Sequence, residues 1–323
     1  MSKALAAGLA LVALATLPLW VANTFYVNIA SQIVIYAIFA LGLNVLVGYA
    51  GLVSLGHAGL FGVAAYAAAW FAASGASDAA AAAGAVATTL AISAVFAVLA
   101  LRATGIGFLM ITLALGQIVW GIAYRWISLT NGDNGINLPA RPTLAGLSLE
   151  GANAFYLFVL AAFLLAIATM SVFVRSPLGA SLRGTRDQPR RMNALGYNVW
   201  LIRFLAFLFS GFWTGSAGLL YCYYHKFVSP QLLQLNASAE VLLMVISGGS
   251  GTLLGPIFGA ALVTAMKTVA SAYIERWNLV LGAIFVAIIV FMPEGLVPGS
   301  VRLWRMARGT PAALASRAAG RNP

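Results

Sequence analysis

Six polar side chains stand inside or at the edge of apolar stretches of this 323-residue chain: Asn44, Ser54, His57, Thr112, Gln117 and Glu240. Hydrogen-bonding groups of this kind suit the lining of a path for a small polar solute, provided that they face a cavity. Hydrolysis asks for more. A Ser-His-Asp arrangement has only His57 and His225 to draw on, with distant partners, and no G-x-S-x-G elbow occurs. The two histidines and the lone Cys222 are too few for a typical zinc site, and one cysteine forms no intramolecular disulfide. No catalytic residue and no metal ligand is assigned. Residues 249–256 are glycine-rich, but no lysine follows to reach a phosphate and Pro256 removes an amide donor. Any ATP would therefore have to bind another chain.

The surroundings of these residues explain why they matter. Of the whole chain 62% is hydrophobic and only 8% is charged, with a mean hydropathy of +0.95. A water-soluble fold carries roughly 25% charged residues, so this composition predicts an all-α, polytopic integral membrane protein. The net charge is +11, from 18 Lys and Arg against 7 Asp and Glu. In a soluble chain such an excess suggests nucleic acid, whereas in a membrane chain it marks cytoplasmic loops. The second reading is adopted, and no nucleic-acid partner is expected.

A crossing takes about 20 apolar residues, since ~30 Å of hydrocarbon is spanned at 1.5 Å per residue. Residues 5–22, 29–47, 58–73, 79–101, 105–127 and 153–174 qualify. The first, preceded by Lys3, has a signal-peptide alternative, but no small-x-small cleavage site ends it. Arg175, Arg183, Arg186, Arg190 and Arg191 fall in one polar loop, and Arg302, Arg305, Arg308, Arg317 and Arg321 in the tail. Both regions are expected in the cytoplasm. The N-terminus is then cytoplasmic too, and residues 128–151 lie outside.

Between the basic clusters lie three apolar stretches, residues 201–224, 240–272 and 279–292. Three single crossings would leave the tail outside. The middle stretch is overlong and is interrupted by Gly248, Gly249, Gly251, Gly255 and Pro256, so it is read as a broken or re-entrant helix pair that enters and leaves on one face. The total is about ten membrane segments. Residues 1–299 form the transmembrane domain, and residues 300–323 a basic cytoplasmic tail.

Around the first polar cluster, Gly56, Gly59 and Gly62 offer an alternative to a path, namely close helix packing. His57 alone reads as a structural hydrogen-bonder. In the basic loop, Ser176-Pro177 makes a good helix start. Leu178, Leu182, Met192, Ala194 and Leu195 suggest short amphipathic helices that dock onto a cytoplasmic partner. The turn-rich residues 130–139 hold a single carboxylate, Asp133, too few for calcium.

Over roughly residues 33–299 the chain resembles the permease subunits of branched-chain amino acid ABC importers, specifically the LivM type. The resemblance is carried by Gly42-Leu43-Asn44 and by Gly48-Tyr49-Ala50-Gly51-Leu52-Val53-Ser54-Leu55-Gly56-His57-Ala58. Thr112-Leu113-Ala114-Leu115-Gly116-Gln117, Asn131-Gly132-Asp133-Asn134-Gly135-Ile136, Ser229-Pro230, Glu240, residues 248–256 and Pro293-Glu294-Gly295-Leu296 add to it. Ser176, Pro177, Gly179, Arg183, Arg186, Ala194, Leu195 and Gly196 look like that family's cytoplasmic coupling loop, here residues 175–199. Gln188-Pro189-Arg190-Arg191 is more basic than the pattern, and Cys222-Tyr223-Tyr224-His225 replaces a small, glycine-containing stretch.

The resemblance implies a transport subunit of the bacterial inner membrane, surrounded by lipid, that lacks enzymatic activity of its own. It would pair with a LivH-like permease or a second copy of itself, with two ATP-binding subunits of the LivG and LivF kind and with a periplasmic binding protein. Branched-chain amino acids are the implied cargo, while urea, short amides, aromatic acids or sugars are cargoes of related permeases. An autonomous secondary transporter would need ion-coupling residues in the membrane, and acids are scarce there.

Overall fold

The computed structural model describes Thr16, Pro18 and residues 23–138, 140–144, 147–273, 277–292 and 295–300. The crossing expected over residues 5–22 and the tail over 300–323 lie outside these, apart from Thr16, Pro18 and Ser300.

Helix α1, Thr24–Asn44, starts at Asn23, whose side chain accepts from the Phe25 amide, and it continues as a π-helical turn, Val45–Ala50. A non-helical stretch leads to α2, His57–Ala73. Then follow α3, Asp78–Ala100, α4, Ile106–Arg125, and the single turn α5, Ile127–Thr130. The long α6, Ala152–Arg175, is followed by the short α7, Pro177–Asp187, and α8, Pro189–Ala194. Helix α9 runs over Val199–His225, α10 over Leu235–Gly248, α11 over Gly255–Tyr273 and α12 over Trp277–Phe291. Among the described residues, the regular structure other than helix is four two-residue strands. β1, Ile136–Asn137, pairs antiparallel with β4, Phe227–Val228, and β2, Thr143–Leu144, pairs with β3, Leu147–Ser148.

Five helical stretches among the described residues are long and apolar enough to cross a membrane: Thr24–Ala50, Asp78–Ala100, Ile106–Arg125, Ala152–Arg175 and Val199–His225. Their burial separates centre from rim. The most apolar part of the first is 83% buried, against 28%, 22% and 28% for α3, α4 and α6. A helix that is apolar all round belongs in the interior, and every residue of Val34–Asn44 except Tyr36 is buried. Helix α9 packs on both α1 and α2 through small residues. A Cβ on Gly42 would touch Thr214 and Ser210 of α9 at 3.0 to 3.1 Å, and one on Gly218 would fall on the Phe61 carbonyl of α2. In lipid such backbone approach replaces the hydrophobic drive for helix association.

Helices α10 and α11 form an antiparallel hairpin broken at residues 249–254. Glu240 meets Lys267 near its open end, while a Cβ on Gly259 would collide with the Met244 carbonyl near its turn. The interruption inferred from the glycines is thus a turn between two helices. At 1.5 Å per residue the 14-residue α10 reaches about 21 Å.

The bundle has two unlike ends. At one, the side chain of Asp78 accepts from the Thr143 amide at 2.7 Å, β1 pairs with β4, and Lys226 pairs with Glu150. Arg141 donates there to the carbonyls of Tyr223, Tyr224, Leu149 and Glu150, with its guanidinium 4.4 Å from the Phe155 ring centre. At the other end, glycine backbones meet and α7 and α8 are attached.

Candidate functional site

The break between α1 and α2 leaves backbone amides without helical partners, and polar side chains satisfy them. Leu55 N–H donates to Thr112 Oγ1 at 3.3 Å, Gly56 N–H to Ser54 Oγ at 3.4 Å, and Ala58 N–H to Ser238 Oγ at 3.1 Å. Non-helical backbone at membrane depth persists under this condition. His57 joins three elements. Ser210 donates to the Gly42 carbonyl at 2.6 Å, so its oxygen accepts from His57 Nε2–H at 3.0 Å. Nδ1 then accepts the Ser54 hydroxyl proton at 2.8 Å. This assigns the neutral Nε2–H tautomer from the hydrogen-bond network. Ser54, His57 and Thr112 have no exposed surface.

Asn44 holds the second break. Its amide donates to the Thr252 carbonyl at 2.8 Å, and its Oδ1 accepts from Gly251 N–H at 3.0 Å. Around it the backbones touch. A Cβ on Gly48 would fall on Gly251, one on Gly248 on the Gly255 carbonyl, and one on Gly295 on Gly249. Gly251 has φ +79, a conformation that glycine adopts without a Cβ penalty. Into this joint reaches Arg186 of α7, whose Nη1 donates to the Gly48 carbonyl and whose Cγ would lie 2.8 Å from a Cβ on Gly51. Pro256 lies in the first turn of α11, a position that tolerates proline.

Helices α7 and α8 form as the residues indicate. Ser176 caps α7 by accepting from Gly179 N–H at 3.2 Å, with Pro177 at the first helical position. Gly179 has no room for a side chain, because a Cβ would meet the carbonyls of Phe173 and Val174. The partner-facing role read for the apolar residues needs correcting at Leu182, which is buried within the chain, whereas Leu195 is 65% exposed. Ala194 and Gly196 are exposed too, and Gly196 closes α8 at φ +85. Arg183 donates to the Val174 carbonyl at 3.2 Å and stays on the surface. Only Arg186 of these two arginines reaches the core joint.

Gln117 is half-buried on α4, and Glu240 stands apart from the other candidates. Glu240 forms an ion pair with Lys267, its Oε2 lying 3.0 Å from Nζ. Lys267, Ser210 and Ser238 escaped the sequence reading, although Lys267 is the single cation within residues 240–272. None of the six candidates lines the apolar cleft of about 310 Å³ among Val63, Tyr66, Trp70, Val119, Leu129 and Leu233. At the strand-laced end, the Lys226 hydrogen bond holds the Glu150 carboxyl below its usual range, helped by the Arg141 amide.

Helices long and apolar enough to cross a membrane, with buried breaks between them, define a multi-pass membrane protein. The chain belongs to the family described as "Branched-chain amino acid transport system / permease component", whose model matches residues 25–289. It is 30% identical to the high-affinity branched-chain amino acid transport system permease protein LivM of Salmonella typhimurium, over 84% of this chain and 70% of the relative. The Escherichia coli LivM is 31% identical over the same shares. The Salmonella typhimurium LivH protein is 22% identical over 81% of this chain and 91% of its own. No solved structure matches.

Proposed function

We propose that the chain is one permease subunit of an ATP-binding cassette importer that carries branched-chain amino acids across the bacterial cytoplasmic membrane. The observation that carries this reading is the Arg186 contact. A helix hung from one end of the bundle reaches through one side chain onto the Gly48 carbonyl, beside the Asn44 contacts with Gly251 and Thr252. Residues 175–199 are the part that ATP-binding subunits grip, and Ser176, Pro177, Gly179, Arg183, Ala194, Leu195 and Gly196 shape that handle. ATP and magnesium belong to those partner chains.

The second permease is of the LivH kind, and a periplasmic binding protein delivers the cargo. The topology is ten segments with both termini in the cytoplasm, a membrane domain over residues 1–299 and a basic tail over 300–323. Asn44, Ser54, His57 and Thr112 position the two helix breaks, while Gln117 and Glu240 face the path. An event at the ATPases moves cargo only if it favours one arrangement of the joint over another.

The test is uptake of labelled leucine in cells with and without this gene, competed by isoleucine, valine, phenylalanine, urea and short amides. Loss of leucine uptake that isoleucine and valine compete is the expected result. Unchanged leucine uptake with loss of urea, amide or aromatic-acid uptake would replace the cargo.

A further inference from the structure

Helices α2 and α4 meet closely and then part. A Cβ on Gly59 would lie 3.3 Å from the Gly116 Cα, and one on Gly56 would collide with the Thr112 carbonyl, so backbone lies against backbone there. Towards the strand-laced end the facing residues become Val63, Tyr66 and Trp70 on α2 and Val119 and Ile122 on α4. Larger side chains at a contact hold helix axes further apart. The gap that results is the apolar cleft of about 310 Å³. Leu233, which a Cβ on Gly62 would strike, stands at its Val63 end. From Val63 to Phe71 the cleft follows α2 for about 12 Å, against about 15 Å for the hydrocarbon of one leaflet.

The walls and the mouth restrict what the cleft holds. Thr88 Oγ1 donates to the Gly84 carbonyl and Thr130 Oγ1 to that of Ala123, both at 2.7 Å, and the Tyr66 hydroxyl is buried beneath the surface. Such walls suit a hydrocarbon chain and leave a charged group without partners. Trp70, Ile122 and Leu129 are exposed at the mouth, and α4 belongs to the rim of the bundle, so the cleft opens sideways. Ile122 also lines an open recess with Ile118, Gly121, Arg125 and Trp126. Arg125 is exposed one turn beyond Ile122, at the end of α4, and its guanidinium makes no hydrogen bond or ion pair with any described residue. Arg141 and Lys226 at the same end are engaged. Trp70, Tyr124 and Trp126 are exposed around it, and aromatic side chains of this kind settle at the membrane–water boundary.

We propose that the cleft and Arg125 form one binding site for a phospholipid, with an acyl chain between α2 and α4 and the phosphate on the Arg125 guanidinium. The site is independent of which solute the protein carries. A guanidinium matches a phosphate through two parallel hydrogen bonds, which gives the cation the partner that the chain itself does not provide. The order of the groups is that of the lipid: cation and aromatic rings at the boundary, hydrocarbon walls below them. The bound chain fills the gap that opens beyond Gly59 and Gly116, and so steadies α4 on α2.

The experiment uses the full chain, with the partner subunits that co-purify, in nanodiscs containing phosphatidylglycerol that carries a diazirine at one acyl terminus. After irradiation, peptide mass spectrometry is expected to find label concentrated on the cleft residues of α2 and α4, several-fold above that on the exposed Leu157 and Leu165 of α6. Arg125→Gln, at an exposed position, is expected to lower the cleft label about tenfold, as loss of a charged hydrogen bond would, and to leave α6 unchanged. A diacylglycerol probe with the same chains and no phosphate is expected to label the wild-type cleft as weakly as phosphatidylglycerol labels the variant. Val63→Phe, which fills the cleft, is expected to abolish the label; should it not fold, the Arg125→Gln and diacylglycerol comparisons decide. Cleft label equal to that on α6 and unmoved by Arg125→Gln would mean annular lipid only and overturn the site. Capture of a partner subunit, in place of lipid, by a photoreactive residue at position 122 would give the cleft to protein and overturn it equally.

Discussion

The two ends of the bundle are held by different chemistry. At one, Arg141 alone reaches four backbone carbonyls, Lys226 pairs with Glu150, Asp78 accepts from Thr143, and β1 pairs with β4. At the other, glycine backbones lie against one another, and Asn44, Arg183, Arg186 and Arg203 each bridge two elements. Many directional bonds fix one arrangement. Smooth glycine contacts tied by a few side chains permit a second arrangement at low cost, and that is what a lever needs. On the proposed function, the strand-laced end would be the still one and α7 the moving one.

The largest expected effect comes from filling the glycine joint. Gly259→Val would drive a side chain into the Met244 carbonyl, and Gly248→Val into that of Gly255, both on backbone that cannot step aside. Overpacking of this kind typically costs about 1–3 kcal/mol, and more where backbone is struck. The check is the yield of monodisperse protein in detergent, expected to collapse for both. A normal yield would mean that the joint is looser than its contacts indicate.

Next is Arg186→Ala. A hydrogen bond from a charged group is worth about 1.5–3 kcal/mol, hence roughly a tenfold to hundredfold change in an equilibrium that depends on it. Transport per ATP hydrolysed is expected to fall by about tenfold or more, with ATP hydrolysis retained. Arg183→Ala, whose guanidinium reaches only the neighbouring Val174 carbonyl, is expected to do much less. Equal losses from the two would erase the distinction between them. Gly179 gives a poor probe of coupling, because any side chain there meets backbone carbonyls first.

At the still end, Arg141→Ala removes contacts to four carbonyls and a cation–π contact, a loss of about 2 kcal/mol. A lower unfolding temperature with unchanged transport per ATP is the expected result, and lost coupling would contradict the division of roles. The smallest effect concerns acid. Lys226 holds the folded-state Glu150 carboxyl below its ordinary range. Its contribution is therefore present above that range and disappears as pH falls through the lowered value. Glu150→Gln is expected to flatten this acid limb of an unfolding-temperature profile, and an unchanged limb would assign it to other carboxylates.

Much of this architecture was legible in the residues, for local reasons. Hydropathy placed a crossing at residues 153–174 where α6 runs from 152 to 175, and the glycines of residues 248–256 marked the hairpin turn. Ser176-Pro177 announced α7 because capping is decided within one turn. What stayed hidden depends on partners far away along the chain. His57 needs Ser210, 153 residues on, and Asn44 needs Gly251 and Thr252, more than 200 residues on. No periodicity encodes such pairings. A polar residue in an apolar stretch looks the same whether it lines a path or satisfies a broken backbone, and at Ser54 and Thr112 the geometry favours the backbone. Lys267 was overlooked because its role appears only when α11 folds back along α10.

The most direct test of the difference between the ends is pulsed electron paramagnetic resonance on the assembled importer, with Cys222, the single native cysteine, replaced by alanine. One pair of spin labels at the exposed Asp187 and Leu254 reports the end that carries α7. A second pair at the exposed Ala79 and Phe227 reports the strand-laced end. The account predicts that trapping the ATP-bound state shifts the first distance by several ångströms and leaves the second unchanged. A shift confined to the second pair, or a first distance that stays fixed through the ATP cycle, would contradict it.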